Sequence, residues 1–431
     1  MNKKTLAALG AAAVVCVAAF AAVITVKMLK DRPGASAQDA LPAGSFVVAR
    51  LDFTRARRWS SWSAVKRLLQ GGGEDAGAPT DRVQREWRAF VERCGFDPLD
   101  RIDRVVAAAD RGVLQGRSQN DWMAHASGSV TQAEFRRCVE RSLQNAGGRL
   151  VPSTVETREV LTVLGAHDAA GPRALQLHLR ERTAMASPTA YMPTALRVAY
   201  GQAPQLGGDQ PLSRMLARLG ESSLVLVGDV AALRAQNQQS TAEIVDELVR
   251  SNPNIPDLTL ARQVVTGGLG VRTENGSVIL TVRAQMANAN QGRAFTAAVQ
   301  ALVQARRGQV LESIAGVQSM TQLSRILPGQ NLDDEWRDVD AAFVAARAIV
   351  EHGVSTTQDG DTAVLTVTVT AAQVTSLERG VRAVQRVVGS RGSRLPRGLP
   401  ERDPRQMPMP MPMPDRDSPA PERPSEARPP I

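Results

Sequence analysis

Apolar and polar positions in this chain alternate between two periods, and the switches between them mark out the elements. Ser45-Phe46-Val47-Val48-Ala49-Arg50-Leu51-Asp52 is a β-rich run with partial alternation. From Thr54 the apolar residues Trp59, Trp62, Val65, Leu68 and Leu69 recur at three- and four-residue steps, which predicts a helix ended by Gly71-Gly72-Gly73. A second helix is predicted over Val83–Cys94, with Trp87, Phe90 and Val91 on one face. Ile102–Ala109 and Asp121–Ser127 read as strands. Thr131–Asn145 reads as a helix with Thr131 as its cap, Glu134 at the capping-box position and Gly147-Gly148 as its stop.

This strand–turn–strand–helix unit recurs. Val264–Val271 and Ser277–Ala284 flank Asn275-Gly276, a type I′ hairpin signal, and a helix over about Gln291–Arg306 follows. Gly353–Thr357 and Thr362–Thr370 flank Asp359-Gly360, and a helix over Ala372–Val388 follows. The strand Ser222–Asp229 with its helix Val230–Arg234 echoes Ser45–Asp52 with the helix after it. Leu161–Gly165, Ala174–Arg180 and Leu196–Tyr200 supply further strands, and Asp333–Val350 a long helix with Trp336, Val339, Phe343, Ala346 and Val350 on one stripe. The expectation is an α+β fold: two lobes, 41–200 and 201–390, with antiparallel sheets built from repeated ββα units.

Both ends depart from this pattern. Thr5–Val26 is 22 residues without a charge, and at about 1.5 Å per residue it is long enough to cross a hydrocarbon core of ~30 Å. Residues 1–32 therefore read as a signal anchor, one N-terminal transmembrane helix placed in the membrane through residues 5–26, and 33–40 as a linker. The segment exceeds the usual apolar run of a cleaved signal, although Ala19-Phe20-Ala21 and Ala35-Ser36-Ala37 keep cleavage open. Cys16 follows Val15 where a lipidation signal needs a small residue, so it reads as an unmodified thiol. The short basic lead Met1–Lys4 favours the N-terminus inside and the bulk of the chain in the periplasm. Residues 391–431 hold 12 of the 25 prolines, with Met and Pro alternating from Met407 to Pro414. Alternate prolines remove donors and forbid a helix, so this reads as a disordered, extended tail. It offers a ligand for a groove in an envelope protein, or less readily a thioether site for copper(I).

Composition changes the picture in one respect. The net charge of +9 suggests nucleic acid. Yet the ends carry much of it, and residues 33–390 hold 39 basic against 36 acidic side chains. With 3% aromatic residues, the body lacks the clustered cations and stacking platforms of a nucleic-acid binder. Its tightest basic stretch, Arg55, Arg57, Arg58, Lys66 and Arg67, reads as one solvated helix face, with an anionic lipid surface as the next candidate.

Catalytic chemistry is sparse. His125, His167, His178 and His352 lie far apart, so no metal site and no cofactor is expected. Gly267-Gly268-Leu269-Gly270 precedes a strand rather than a helix, which removes a phosphate cradle. The acids Asp333, Asp334, Glu335, Asp338 and Asp340 fit a helix start better than a calcium loop. Ser63-Ala64-Val65-Lys66 matches S-x-x-K, a serine nucleophile and lysine base one helical turn apart, but Lys66 is the last lysine, so the later K-T-G of that enzyme class is missing. Cys94 and Cys138 are candidates for a disulfide in an oxidising compartment, or for buried thiols.

The opening Leu41-Pro42-Ala43-x-Ser45-x-Val47-Val48-x-x-Leu51-Asp52, just after an export segment, resembles bacterial exported α+β proteins of uncharacterised function that begin with an LPA-x-S/T-x-V-V strand. The resemblance implies an extracytoplasmic setting and transfers no catalytic residue. The expected role is non-enzymatic binding or assembly in the cell envelope, with a serine hydrolase as the alternative and nucleic-acid binding as the third reading.

Overall fold

A computed structural model describes residues 41–59, 62–63, 66, 82–110, 121–145, 147–165, 174–236, 246–247, 249–255, 257–325 and 333–392. The predicted anchor, linker and tail, and most of the Thr54–Leu69 helix, lie outside these residues. Among the described residues no helix is long and apolar enough to cross a membrane.

Among the described residues twelve antiparallel strands form one sheet: β1 (Ser45–Asp52), β2 (Ile102–Asp110), β3 (Trp122–Gly128), β4 (Arg149–Val155), β5 (Arg158–Leu164), β6 (Leu175–Arg180), β7 (Thr183–Pro188), β8 (Leu224–Asp229), β9 (Thr266–Glu274), β10 (Ser277–Gln285), β11 (Val354–Asp359) and β12 (Thr362–Val369). Their order is β11-β12-β10-β9-β8-β1-β2-β3-β7-β6-β5-β4. The fold is α+β as expected, but the two predicted sheets are one. The reason is the direct pairing of the two echoed strands, Val47 with Gly228 through Leu51 with Leu224. Each would be an unpaired edge in a separate lobe, and joining them satisfies both.

Outward from this junction the halves follow the same course. Each has a strand ending in Asp, a short helix (α1, Phe53–Ala56; α7, Val230–Gln236), a hairpin (β2–β3; β9–β10) and a helix (α4, Gln132–Gln144; α8, Ala289–Arg325), before a later strand returns to pair with the third. The capping box at Thr131 and Glu134 forms as predicted, with reciprocal hydrogen bonds. At Asn275-Gly276 both residues have positive φ, 50° and 77°, the type I′ geometry that this dipeptide favours.

One predicted strand is a helix. Leu196–Tyr200 falls in α5 (Met192–Ala199), where Met192, Ala195, Leu196 and Ala199 are buried at helical spacing behind Pro193 in the first turn. Together with α6 (Pro211–Arg218), α5 covers the sheet face that carries Val48, Val106, Met123, Met185, Val225 and Val227. Gly268 and Gly270 of β9 lie directly beneath α6: a Cβ on Gly268 would stand 2.8 Å from Met215 Cγ, and one on Gly270 2.5 Å from Ser222 Oγ. The glycine cluster serves this close approach, not phosphate.

The opposite face of the N-terminal half is covered by α2 (Arg82–Cys94) and α4, which bury Phe90, Phe96, Phe135 and Val139 against Val105, Ala126, Leu161 and Leu177. Cys94 and Cys138 meet between these helices as a disulfide, S–S 1.98 Å and Cα–Cα 4.1 Å. In the C-terminal half α8 covers only part of that face, with Phe295 and Val299 over Ala284 and Ala363. Two further helices complete this half, α9 (Asp333–His352) and α10 (Ala371–Gly392).

Candidate interaction surface

Polar chemistry concentrates first at the β1–β8 junction. Asp52 is buried and caps α1: its carboxylate accepts from Thr54 Oγ1 at 2.5 Å and from the Arg55 backbone N–H at 3.1 Å. It also pairs with Arg55 at 3.4 Å and Arg104 at 3.3 Å. Burial pushes its pKa up, but these hydrogen bonds and guanidinium groups outweigh it and hold the carboxyl below its ordinary range. Arg50, also buried, donates to the Leu219 and Gly220 carbonyl oxygens just past the end of α6, and Arg55 donates to Gly220 as well. These cations satisfy the orphan carbonyls of a helix terminus and complement its dipole, a structural role.

The basic stretch that reads as a solvated face is largely committed to protein partners. Arg57 binds Asp103 at 2.9 Å and, at 3.0 Å, the carbonyl of Leu99 in α3 (Pro98–Arg101). Lys66 binds Asp97 at 3.1 Å and also Asp100. Although burial works against it, hydrogen bonds to Asp100 and Asp97 raise the Lys66 pKa. A lysine that serves as a general base needs the opposite shift. Ser63 is solvent-exposed.

The remaining candidates resolve simply. His125 and His178 are buried in the sheet, and His352 is exposed. His178 hydrogen-bonds the Glu159 carbonyl and the Tyr200 hydroxyl, each at 2.9 Å. Burial is the main cause that lowers its pKa. His167 lies outside the described residues. Asp333, Asp334 and Glu335 occupy the first turn of α9, as the dipole argument expects. Among the described residues no group of three or more His, Cys, Asp or Glu is placed to hold a metal.

The apolar surface is the informative feature. Among the described residues the exposed large hydrophobics are Val282, Val317, Met320, Val344, Val381 and Val384, all in the C-terminal half. Val317 and Met320 lie in the distal part of α8, a helix of 37 residues, on the order of 55 Å long at 1.5 Å per residue. On α10 the buried Gly380 and Ala383 face inward, and Gly380 is closed against Ala342 of α9.

About a third of a turn around the same helix, Val374, Leu377, Val381 and Val384 repeat at three, four and three residues. Val381 is 50% exposed and Val384 45%. Arg379 and Arg382 stand on the remaining side, and Arg382 pairs with Glu378 at 3.6 Å. A three–four apolar seam that is exposed at Val381 and Val384 has the form of a helix-docking face. The spacing is legible in the sequence, but it also fits a core-facing stripe, and only the packing of Gly380 on α9 separates the two.

No family model matches the chain, and no curated protein is similar to it. It is similar to solved structures of TP0453: crystal form III at 12% identity and a TM-score of 0.38, covering 81% of this chain and 99% of that one. Crystal form I stands at 12% identity and a TM-score of 0.35, covering 80% and 98%. These likenesses identify no family.

Proposed function

We propose that the protein is a membrane-tethered, extracytoplasmic protein with a non-enzymatic binding or assembly role in the cell envelope, and that its C-terminal half carries the contacts. The observation that supports this most is that, among the described residues, the exposed large hydrophobics are confined to Val282–Val384. Scattered apolar residues on a surface need no explanation, whereas a helical seam with two half-exposed valines in register does. The N-terminal apolar segment of residues 5–26 serves as the tether in this reading. The tail, residues 391–431, adds reach toward an envelope partner. Nucleic acid is not a partner in this account, because the cations nearest to a patch are paired with Asp52, Asp97, Asp100 and Asp103.

The test is in-membrane cross-linking of the full chain, followed by purification, in three forms: wild type, Val381→Asp with Val384→Asp, and a chain lacking 391–431. A specific protein retained by wild type and lost from the seam variant, with its thermal unfolding unchanged, is the expected result. Equal recovery in all three overturns the surface assignment. A reporter fused after residue 390 that is active only in the cytoplasm overturns the topology. Labelling by a serine-reactive probe that disappears in Ser63→Ala replaces this reading with the hydrolase.

A further inference from the structure

We propose that β11 is a self-pairing edge, through which two copies of this chain join their sheets antiparallel about a two-fold axis at Thr356. This stands apart from the helix-borne surface proposed above. Among the described residues the sheet has two edges, β4 and β11. β4 contains Pro152, which has no N–H to donate and blocks an added strand. β11, Val-Ser-Thr-Thr-Gln-Asp, has no proline, no lysine and no bulge, and its register with β12 is unbroken from Val354 to Asp359. Ser355, Thr357, Gln358 and Asp359 are exposed.

The hydrogen-bond phase shows which groups face outward. Thr368 N–H donates to the Gly353 carbonyl at 2.7 Å, and these two residues are opposite in the β11–β12 register. In an antiparallel ladder bonded pairs alternate with non-bonded ones. The inward-bonded residues are therefore Gly353, Ser355, Thr357 and Asp359, and Val354, Thr356 and Gln358 turn their N–H and C=O groups to the open side. These three are symmetric about Thr356.

A second copy related by a two-fold axis at that residue places Thr356 opposite Thr356, and Val354 opposite Gln358, as bonded pairs. It satisfies every outward group with roughly six new backbone hydrogen bonds. The side-chain pairs are equally compatible: Thr with Thr, Val with Gln and Ser355 with Thr357, with no like charges opposed. The fold already contains one such junction, β1 with β8, where two equivalent strands meet antiparallel. A second copy is thus the occupant that the edge itself specifies.

The experiment uses the full chain, solubilised from membranes, with mass measured by light scattering during size exclusion. Wild type is expected at twice the chain mass and Thr356→Pro, which removes one outward N–H as Pro152 does on β4, at the chain mass. In a Cys16→Ser background, Thr356→Cys is expected to form a covalent dimer on mild oxidation at least ten times faster than Ser355→Cys. Opposite Cα atoms in a bonded pair lie about 5.5 Å apart, within disulfide reach, whereas Ser355 does not face itself. A wild-type monomer at tens of micromolar, a dimer that persists in folded Thr356→Pro, or equal cross-linking of the two cysteine variants overturns the proposal. If Thr356→Pro fails to fold, the cysteine comparison decides. A dimer abolished by Val381→Asp and indifferent to Thr356→Pro assigns self-association to α10 instead, which overturns this inference and leaves the helix-borne surface standing.

Discussion

The halves on either side of the β1–β8 junction share a course of strands and helices but finish their surfaces differently. In the N-terminal half both sheet faces are covered, by α5 on one side and by α2 and α4 on the other, and a disulfide ties the covering helices together. Its outer edge carries Pro152. In the C-terminal half the face of β10 and β12 beneath α8 remains half-buried at Leu280, Leu365 and Val367 and exposed at Val282. The same chain pattern therefore produces a closed scaffold in one half and a surface with unmet apolar and backbone groups in the other. The difference lies in which groups are left uncovered, and the proposed contacts rest on it.

The largest effect that would sharpen this contrast comes from the disulfide. Cys94 and Cys138 are separated by 44 residues, and a cross-link of that loop length contributes about 4 kcal/mol in the chain-entropy account. Cys138→Ser should lower the unfolding free energy by an amount of that order, read as a lower denaturant midpoint, with the loss of hydrogen-exchange protection concentrated in α2 and α4. An unchanged midpoint under oxidising conditions would mean that the link does not brace this half.

Core and seam substitutions form the next comparison. Leu196→Ala in α5, at a fully buried site, should cost about 3 kcal/mol. Val381→Ala on the exposed seam should change stability by less than about 0.5 kcal/mol. Urea titration of both variants checks this, and a large loss at Val381 would mean that the seam is core rather than contact surface.

The capping box gives a smaller, pH-dependent effect. Hydrogen bonds from the Thr131 backbone N–H and hydroxyl hold Glu134 at a pKa of about 2, with Arg101 adding to them. The folded value is depressed, so the stabilisation is complete above the unfolded pKa of about 4.3 and is lost as pH falls toward 2. Glu134→Gln should leave that acid limb flatter. Glu134→Ala should cost about 1 kcal/mol at neutral pH and less below pH 3.

The smallest effect concerns the β4–β5 hairpin, where Glu156 and Thr157 take φ of 47° and 68°. Both are L residues in left-handed geometry, and one is β-branched. Thr157→Gly should stabilise the fold by roughly 0.5–1 kcal/mol. A melting temperature that falls would show that the Thr157 side chain compensates for its backbone.

Local chemistry was the readable part of the fold. Asn275-Gly276, the capping box at Thr131 and the recurring ββα units each depend on neighbours within a few residues, and all form. The merging of two sheets into one depends on Val47–Leu51 finding Leu224–Gly228 across most of the N-terminal half, and no local pattern encodes that choice. Leu196–Tyr200 read as a strand because a short buried apolar run has no decisive period, and burial on α5 settled it as helix. The cysteine pair was visible as a candidate, since only folding brings α2 and α4 together. The partners of Lys66 lie more than 30 positions away in the chain, so the S-x-x-K spacing could be seen while its paired carboxylates could not. The open edge of β11 needs both strand order and hydrogen-bond phase, and neither is written in six residues of Val, Ser, Thr, Gln and Asp.

Hydrogen exchange read by mass spectrometry compares the halves in one measurement, with the full chain in its native membrane set against the same chain purified and dilute. The account predicts slower exchange in the membrane at Val354–Gln358 and along Val374–Val384, with β1 to β7 and the helices on them unchanged. Protection gained only within residues 41–200, with the C-terminal half indifferent, would contradict it.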